Sequence, residues 1–330
     1  MTRHPDVPGQ PAKSATIHEI AKAAGVSIAS VSRALNGKPG ISDKLRQHIL
    51  QISRDIHYQP SAAARALISG KNAVVGISLG RQDIELRPYY TLIYQHLTLA
   101  LHRQGMVPVF FHHDETESLS QRAGSAILLC SMPDDDRPTW LARHGIPFVR
   151  IGERQAGSFS VAPDDQHGIY LATRHLIETG RRKIAYMGDD LQWPHNQHRL
   201  KGYLQALVET GLPDFRISVP FNYDPGLTAY RHLTRLLLQG PPDFDAVVCD
   251  KDELALGCLA ALDDHGIAVP EQVAVTGFDD LPTLAAQLTT VRQDIGQIAS
   301  EAVSLLGDAI AGASPRHVTL PVVLVPRQTS

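Results

Sequence analysis

Apolar residues recur along this chain in two rhythms, and the change between them falls near residue 73. Between Thr16 and Tyr58 they stand three or four apart, the period of an amphipathic helix. Ile17, Ile20, Ala21 and Ala24 make one stripe, and Thr16 with Glu19 has the form of a capping box at its start. Gly25 can turn the chain without a Cβ clash, Val26 can plug a small core, and Ser27 is placed to cap the next helix. In that helix Val31, Ala34 and Leu35 face inward, and Asn36-Gly37 ends it. Ser42 then caps a third helix carrying Leu45, Ile49, Ile52 and Ile56. Two helices joined by a short Gly-containing turn, with a third to close a tiny core, predict a helix-turn-helix.

From Ala73 the apolar residues gather into short continuous runs: AVVGISL, VPVFF, SAILLC, FVRI, KIAYM, AVVC and VAVTGF. Helical patterns separate them at Tyr89 to Gln104, Gln166 to Thr179, His198 to Thr210, Leu227 to Gln239, Asp252 to His265 and Ile295 to Ile310. Continuous apolar strands alternating with helices predict parallel sheets buried on both faces. The stretch is too long for one small doubly wound unit, so two lobes with a cleft are expected, with ligands at the carboxyl ends of the strands. Residues 1–15, rich in Pro and Gly without periodicity, read as a disordered lead. Pro60 breaks the third helix, and Ser61 can cap an Ala-rich turn too short to be stable alone, so a helix that forms on contact is expected there.

Charge sharpens this division. The net charge of -3 splits into +6 over residues 1–71 and -9 over residues 72–330, so only the N-terminal part suits a polyanion. No apolar run reaches a membrane span and no signal-type leader is seen, which predicts a cytoplasmic protein. Cys130, Cys249 and Cys258 have no CxxC partner and read as reduced core residues. The histidine groups His112-His113 and His195 to His198 read as solvated loop residues, and neither metal nor cofactor is expected.

The segment AGVS…SVSRALNG resembles the headpiece of the LacI (lactose/galactose repressor) family of bacterial transcription regulators. The resemblance continues through PDDQHGIYLATRHLIETGRRKIAYMG, HRLKGYLQAL, DELALGCLAALDDHGIAVPEQVAVTGFDD and LTTVRQD. It implies a helix-turn-helix over 16–59, a hinge helix over 60–72, and over 73–330 a core of two α/β lobes similar to periplasmic sugar-binding proteins. One departure is plain: about a dozen residues separate VPVFF from SAILLC, where the family usually has a longer segment with a full helix, so the first lobe is expected to be trimmed there.

For DNA, the resemblance puts Ile28 and Ala29 at specificity-setting positions and Arg33 at a base-contacting one. Ile28 and Ala29 can make only apolar contacts, such as with a thymine methyl, whereas Arg33 can bond guanine O6 and N7 together. Ser27, Ser30, Ser32 and Asn36 suit phosphates, and Leu67 would be the hinge leucine wedged into the minor groove. For an effector, it implies Tyr89, Tyr90, Ser131, Trp193, His195, Arg199, Tyr223, Lys251, Asp252 and Asp279. Rings flanking a slot with charged groups aimed inward suit a polyol. Lys251 stands where many sugar-binding relatives carry asparagine; with Arg199 it could make the pocket cationic and favour an acidic or phosphorylated sugar, unless it is paired with Asp252 or Asp279. The expected protein is therefore a regulator of the repressor type that binds a pseudo-palindromic operator as a homodimer under effector control. An α/β enzyme finds no GxGxxG, Walker A or GxSxG motif in its support, and a sugar-binding protein without DNA activity does not account for the basic N-terminal part.

Overall fold

The computed structural model describes residues 17–35, 39–55, 74–79, 87–129, 134–189, 193–221 and 224–330. They fall into two compact units, one N-terminal and helical and one α/β.

In the first unit, α1 (Ile17–Ala24), α2 (Ile28–Leu35) and α3 (Asp43–Asp55) enclose Ile20, Ala21, Val31, Ala34 and Ile49. Val26, Leu35, Leu45 and Ile52 pack around this nucleus, the positions their helical spacing predicts. Gly25 turns the chain at φ +64°, a conformation costly for a residue with a Cβ. Both expected caps form: Ser30 N donates to Ser27 Oγ at 3.2 Å, and Leu45 N donates to Ser42 Oγ at 3.3 Å. Thr16, Asn36, Ile56 and the whole of the expected hinge lie outside the described residues.

The α/β unit has two lobes. The first holds β1 (Val74–Ser78), α4 (Pro88–Arg103), β2 (Val107–Phe111), α5 (Thr116–Arg122), β3 (Ser125–Leu129), α6 (Arg137–Arg143), β4 (Phe148–Ile151) and β5 (Phe159–Pro163). The second holds α7 (Asp165–Glu178), β6 (Ile184–Asp189), α8 (Pro194–Thr210), β7 (Phe215–Val219), α9 (Pro225–Leu237), β8 (Ala246–Cys249), α10 (Asp252–Asp264), β9 (Ala274–Asp279) and β10 (Thr289–Gln293). The chain then returns with α11 (Ile295–Ile310) and β11 (His317–Leu320) to the first lobe, and ends with β12 (Val322–Val325) in the second.

The two sheets share one plan, β11-β5-β4-β3-β1-β2 and β12-β10-β9-β8-β6-β7. Parallel pairs such as Ile127 with Val149 and Val247 with Val275 sit in the middle, and buried Val, Ile, Leu and Ala occupy their faces. The last strands differ: β11 runs parallel to β5, whereas β12 runs antiparallel to β10. Asp164, Asp224 and Asp294 each accept a backbone N–H at a helix start, from His167, Leu227 and Gln297 respectively. Between β2 and β3, where a trimmed first lobe is expected, stands α5, a helix of 7 residues. Strands β5, β7, β10, β11 and β12 lie outside the apolar runs, because several carry polar residues or stand at a sheet edge.

Candidate functional site

In the helical unit, the buried side of α2 is spent on Val31 and Ala34, which leaves Ile28, Ala29 and Arg33 exposed. Ile28 is 43% exposed in the first turn, an apolar side chain with no packing role. Ser27 and Ser30 share a hydrogen bond of 3.0 Å between their hydroxyls, and Ser32 is half-buried beside them. The face that remains is short, polar at its start and cationic at Arg33. Such a surface can meet phosphates with its hydroxyls and base edges with Ile28 and Arg33.

In the α/β unit, a cleft of about 880 Å³, measured with its open mouth, lies between the lobes. It opens at the carboxyl ends of β3, β4, β5, β6, β9 and β10, as parallel sheets require. The first lobe contributes Arg87, Tyr89 and Tyr90 from the start of α4, with Glu153 beyond β4. The second contributes Trp193, His195 and Arg199 around the start of α8, with Lys251, Glu253, Asp279 and Gln293. Pro at the first turn of α4 and α8 suits both helix starts, which bring the aromatic residues to the mouth.

Rings line two sides. Tyr89 and Tyr90 meet edge to face at 5.3 Å, while Trp193 stands 5.6 Å from both His195 and Phe221. Arg87 reaches across with its guanidinium 4.8 Å from the Phe221 ring, a contact between the lobes. A second contact joins Glu153 to His198 at 3.6 Å.

The floor is ionic. Arg199 Nε bonds Asp165 at 2.7 Å, its Nη2 lies 3.7 Å from Asp279, and its plane stacks 3.7 Å above Phe278. A further N–H of Arg199 donates to the Asp250 carbonyl. Lys251 Nζ bonds Asp189 at 2.6 Å and stands 3.5 Å from Asp250. Burial pulls on the Lys251 ammonium, but Asp250 and Asp189 outweigh it and raise its pKa. Burial also raises Asp165, Asp279 and Glu253 above the usual carboxylate range, with Arg199 or Arg87 opposing. His195 is lowered well below its ordinary value by desolvation and by the nearby Arg199, Lys251 and Arg87, so its imidazole is neutral. Asp279 at φ +116° and Asp280 at φ +54° are consecutive non-glycine residues in the left-handed half of backbone space, strain that collects at ligand sites.

Comparison with known proteins fits this geometry. Residues 16–61 match the family described as bacterial regulatory proteins, lacI family, and residues 173–330 match a periplasmic binding protein-like domain. The HTH-type transcriptional regulator GalR of Salmonella typhimurium is 30% identical over 330 residues, 94% of each chain. The regulator CelR of Thermobifida fusca is 31% identical over 328 residues, 92% of this chain and 94% of its own. This chain belongs to the LacI family of bacterial transcriptional regulators. A solved CelR–cellobiose complex superposes with a TM-score of 0.71 at 28% identity, covering 96% of this chain and 100% of that one. The Lac repressor dimer bound to operator shares the fold at a TM-score of 0.82 and 22% identity, covering 96% and 99%. LacI-family members are regulators and not enzymes, as the relatives named here are.

Against the LacI-family expectation, Tyr89, Tyr90, Trp193, His195, Arg199, Lys251 and Asp279 come together on the cleft wall. Asp252 does not. It is fully buried behind the floor, where Leu281 N and Thr290 Oγ1 donate to its carboxylate at 2.8 and 2.5 Å. Its position at the start of α10 turns it into the lobe, away from Lys251's side. The cationic pocket expected from Lys251 and Arg199 is not what forms either, since both are matched to carboxylates, Lys251 with Asp189 and Asp250 and not with Asp252 or Asp279. Ser131, Tyr223, Asn36 and Leu67 lie outside the described residues. Arg87, Glu153, Glu253 and Gln293 are additions; Gln293 stands in the LTTVRQD segment, whose resemblance was a usable signal.

Proposed function

We propose that this chain is an effector-controlled transcriptional regulator, acting as a homodimer on a pseudo-palindromic operator and answering to a small polyhydroxy effector of the sugar class. The observation that carries it is the exposed face of α2, where Ile28 in the first turn and Arg33 in the last stand outward on the packed helical core. The +6 charge of residues 1–71 supports the same reading. Two walls of aromatic residues around polar side chains support a sugar-class ligand, as does the cellobiose in the complex of a 28%-identical relative. Residues 16–59 are assigned the operator, 60–72 the hinge and 73–330 the effector and the dimer contact. The effector acts by binding one lobe arrangement better, and a coupling of about 1–3 kcal/mol changes operator affinity roughly 5- to 150-fold.

An electrophoretic shift with a palindromic duplex library at two salt concentrations tests the reading. Affinity should fall steeply with salt, with a log–log slope of about -0.9 per phosphate neutralised. Arg33→Ala should weaken the selected site by ~1–3 kcal/mol and relax its sequence preference. A purified protein with no salt-sensitive affinity for any duplex, and with Arg33 and Leu67 replaceable without effect, would sink the proposal.

A further inference from the structure

Of the three α2 residues assigned to base edges, Ile28 and Ala29 are apolar, so the hydrogen-bond code of a base pair falls to Arg33 alone. Two neighbours frame that arginine. Arg33 stands in the last turn of α2, where carbonyls find no partner inside the helix. The guanidinium of Arg46, from the first turn of α3, takes one of them: its Nη1 donates to the Arg33 carbonyl at 3.2 Å. A cation there also meets the negative end of the α2 dipole. On the other side the stem of Arg33 lies along Gly40, where a Cβ would stand 3.6 Å from its Cδ and 3.7 Å from its Nε. Arg46 is itself anchored, since its backbone N–H donates to the Ser42 carbonyl at 2.9 Å and the nearby Leu45 and Ile49 pack on the helical core. It is half-buried, whereas Arg33 is exposed.

The guanidinium of Arg33 ends several bonds from its main chain, so a small tilt of the helix end is magnified at the fork. Paired contacts to one base tolerate only about 0.5 Å of misplacement. We propose that Arg46 is a positioning residue for sequence reading: by pinning the main chain at Arg33 it fixes the direction in which that side chain leaves α2, and it acts on DNA specificity through Arg33 and not by touching DNA. The inference rests on the operator reading above, in which Arg33 faces a base pair, and adds to it a residue outside α2.

The test is a double-mutant cycle on the full-length protein, read as the ratio of affinities for the duplex selected from the palindromic library and for a scrambled duplex of the same length. The ratio cancels the loss of a charge that both duplexes feel. Arg46→Met keeps an apolar stem and removes the donors; it should lower the ratio about ten-fold, within the worth of one bidentate base contact. In the Arg33→Ala background the same change should move the ratio less than about two-fold. A ratio that Arg46→Met leaves unchanged overturns the inference and leaves the operator reading intact. So does an equal fall in both backgrounds; a salt slope lower by about 0.9 would then make Arg46 a phosphate contact. An Arg33→Ala protein with the wild-type ratio removes the base-reading role of Arg33, and this inference with it. Arg46→Lys separates charge from geometry, and serves alone if Arg46→Met does not fold. Its ammonium has a shorter reach to a carbonyl already 3.2 Å away, so the ratio should still fall at least about three-fold, and a wild-type ratio overturns the inference.

Discussion

The two lobes are built on the same strand order yet solve burial differently. The first buries a guanidinium among its strand ends: Arg137, 1% exposed, binds both oxygens of Asp135 at 2.8 and 2.9 Å, Ser78 Oγ at 3.0 Å and Leu129 O at 2.9 Å. That guanidinium ties the ends of β1 and β3 to the start of α6. The second lobe spreads its buried charge over Asp165, Arg199, Asp250, Lys251, Asp252 and Asp279, and most of this charge faces the cleft. The shared topology therefore does not dictate where charge is buried. In one lobe charge fastens a scaffold, and in the other it makes a binding floor.

The strongest way to break the comparison is to remove the fastener. Arg137→Met should lower stability to chemical denaturation by ~3–5 kcal/mol, because Asp135 is left buried with its principal partner gone. A loss under about 1 kcal/mol would mean that Arg150, whose charge also acts on Asp135, already suffices. Next comes the glycine-mediated backbone-to-helix packing of the second lobe. A Cβ on Gly257 of α10 would lie 2.1 Å from the backbone carbonyl of Gly226 in α9, and one on Gly202 of α8 would lie 2.0 Å from Gln166 O of α7. Neither carbonyl can rotate away, so Gly257→Ala should cost ~3 kcal/mol by forcing the helices apart. An unchanged melting temperature would show that this crossing is looser than the structure has it.

Much of this architecture was legible from residues alone, and the limits have physical causes. Val31 and Ala34 reveal their burial by helical spacing, and AVVC and VAVTGF reveal β8 and β9 because strands covered on both faces are continuously apolar. Strand β7 does not, since FRISV stands at the sheet edge with Phe215, Arg216 and Ser218 outward. In the cleft, Lys251 stands out in the sequence by its residue type, but its partner Asp189 is 62 positions away, and no local pattern links them. Asp252 adjoins Lys251 in sequence, yet one step along the start of α10 turns its side chain to the opposite side. Pairings formed by topology, such as Arg87 against Phe221, are invisible until the lobes are placed.

A third difference is in pH response. Burial pushes Asp252 up to about 7, against hydrogen bonds from Thr290 and Leu281 that favour the ionised form. In the unfolded chain a carboxyl of this kind titrates near pH ~4. The folded state thus holds a proton that the unfolded state has released, and this contribution is complete below that value and is lost as pH rises through about 7. Denaturation at fixed pH should show wild type losing ~1–2 kcal/mol more than Asp252→Asn between about pH 5 and 7. Parallel curves for the two proteins would remove Asp252 as the source.

The smallest effect belongs to the first lobe and makes the sharpest contrast with Gly257. A Cβ on Gly76, in the middle of β1, would come within 2.7 Å of Leu119 Cδ1 and 2.8 Å of its Cγ, side-chain atoms of α5 and not backbone. Leu119 can give way by a rotation that a carbonyl in a helix cannot make, at a cost of ~0.5–1.5 kcal/mol for a side chain pushed off its rotamer. Against this, replacing glycine inside a strand recovers about 0.4–1 kcal/mol by reducing the freedom of the unfolded chain. The two terms nearly cancel, so Gly76→Ala should change stability by less than ~1 kcal/mol in either direction. Should Gly76→Ala instead match Gly257→Ala in equilibrium denaturation, α5 would have to be as tightly held as the long helices of the second lobe, and the short cover of the first lobe would not be the more yielding of the two.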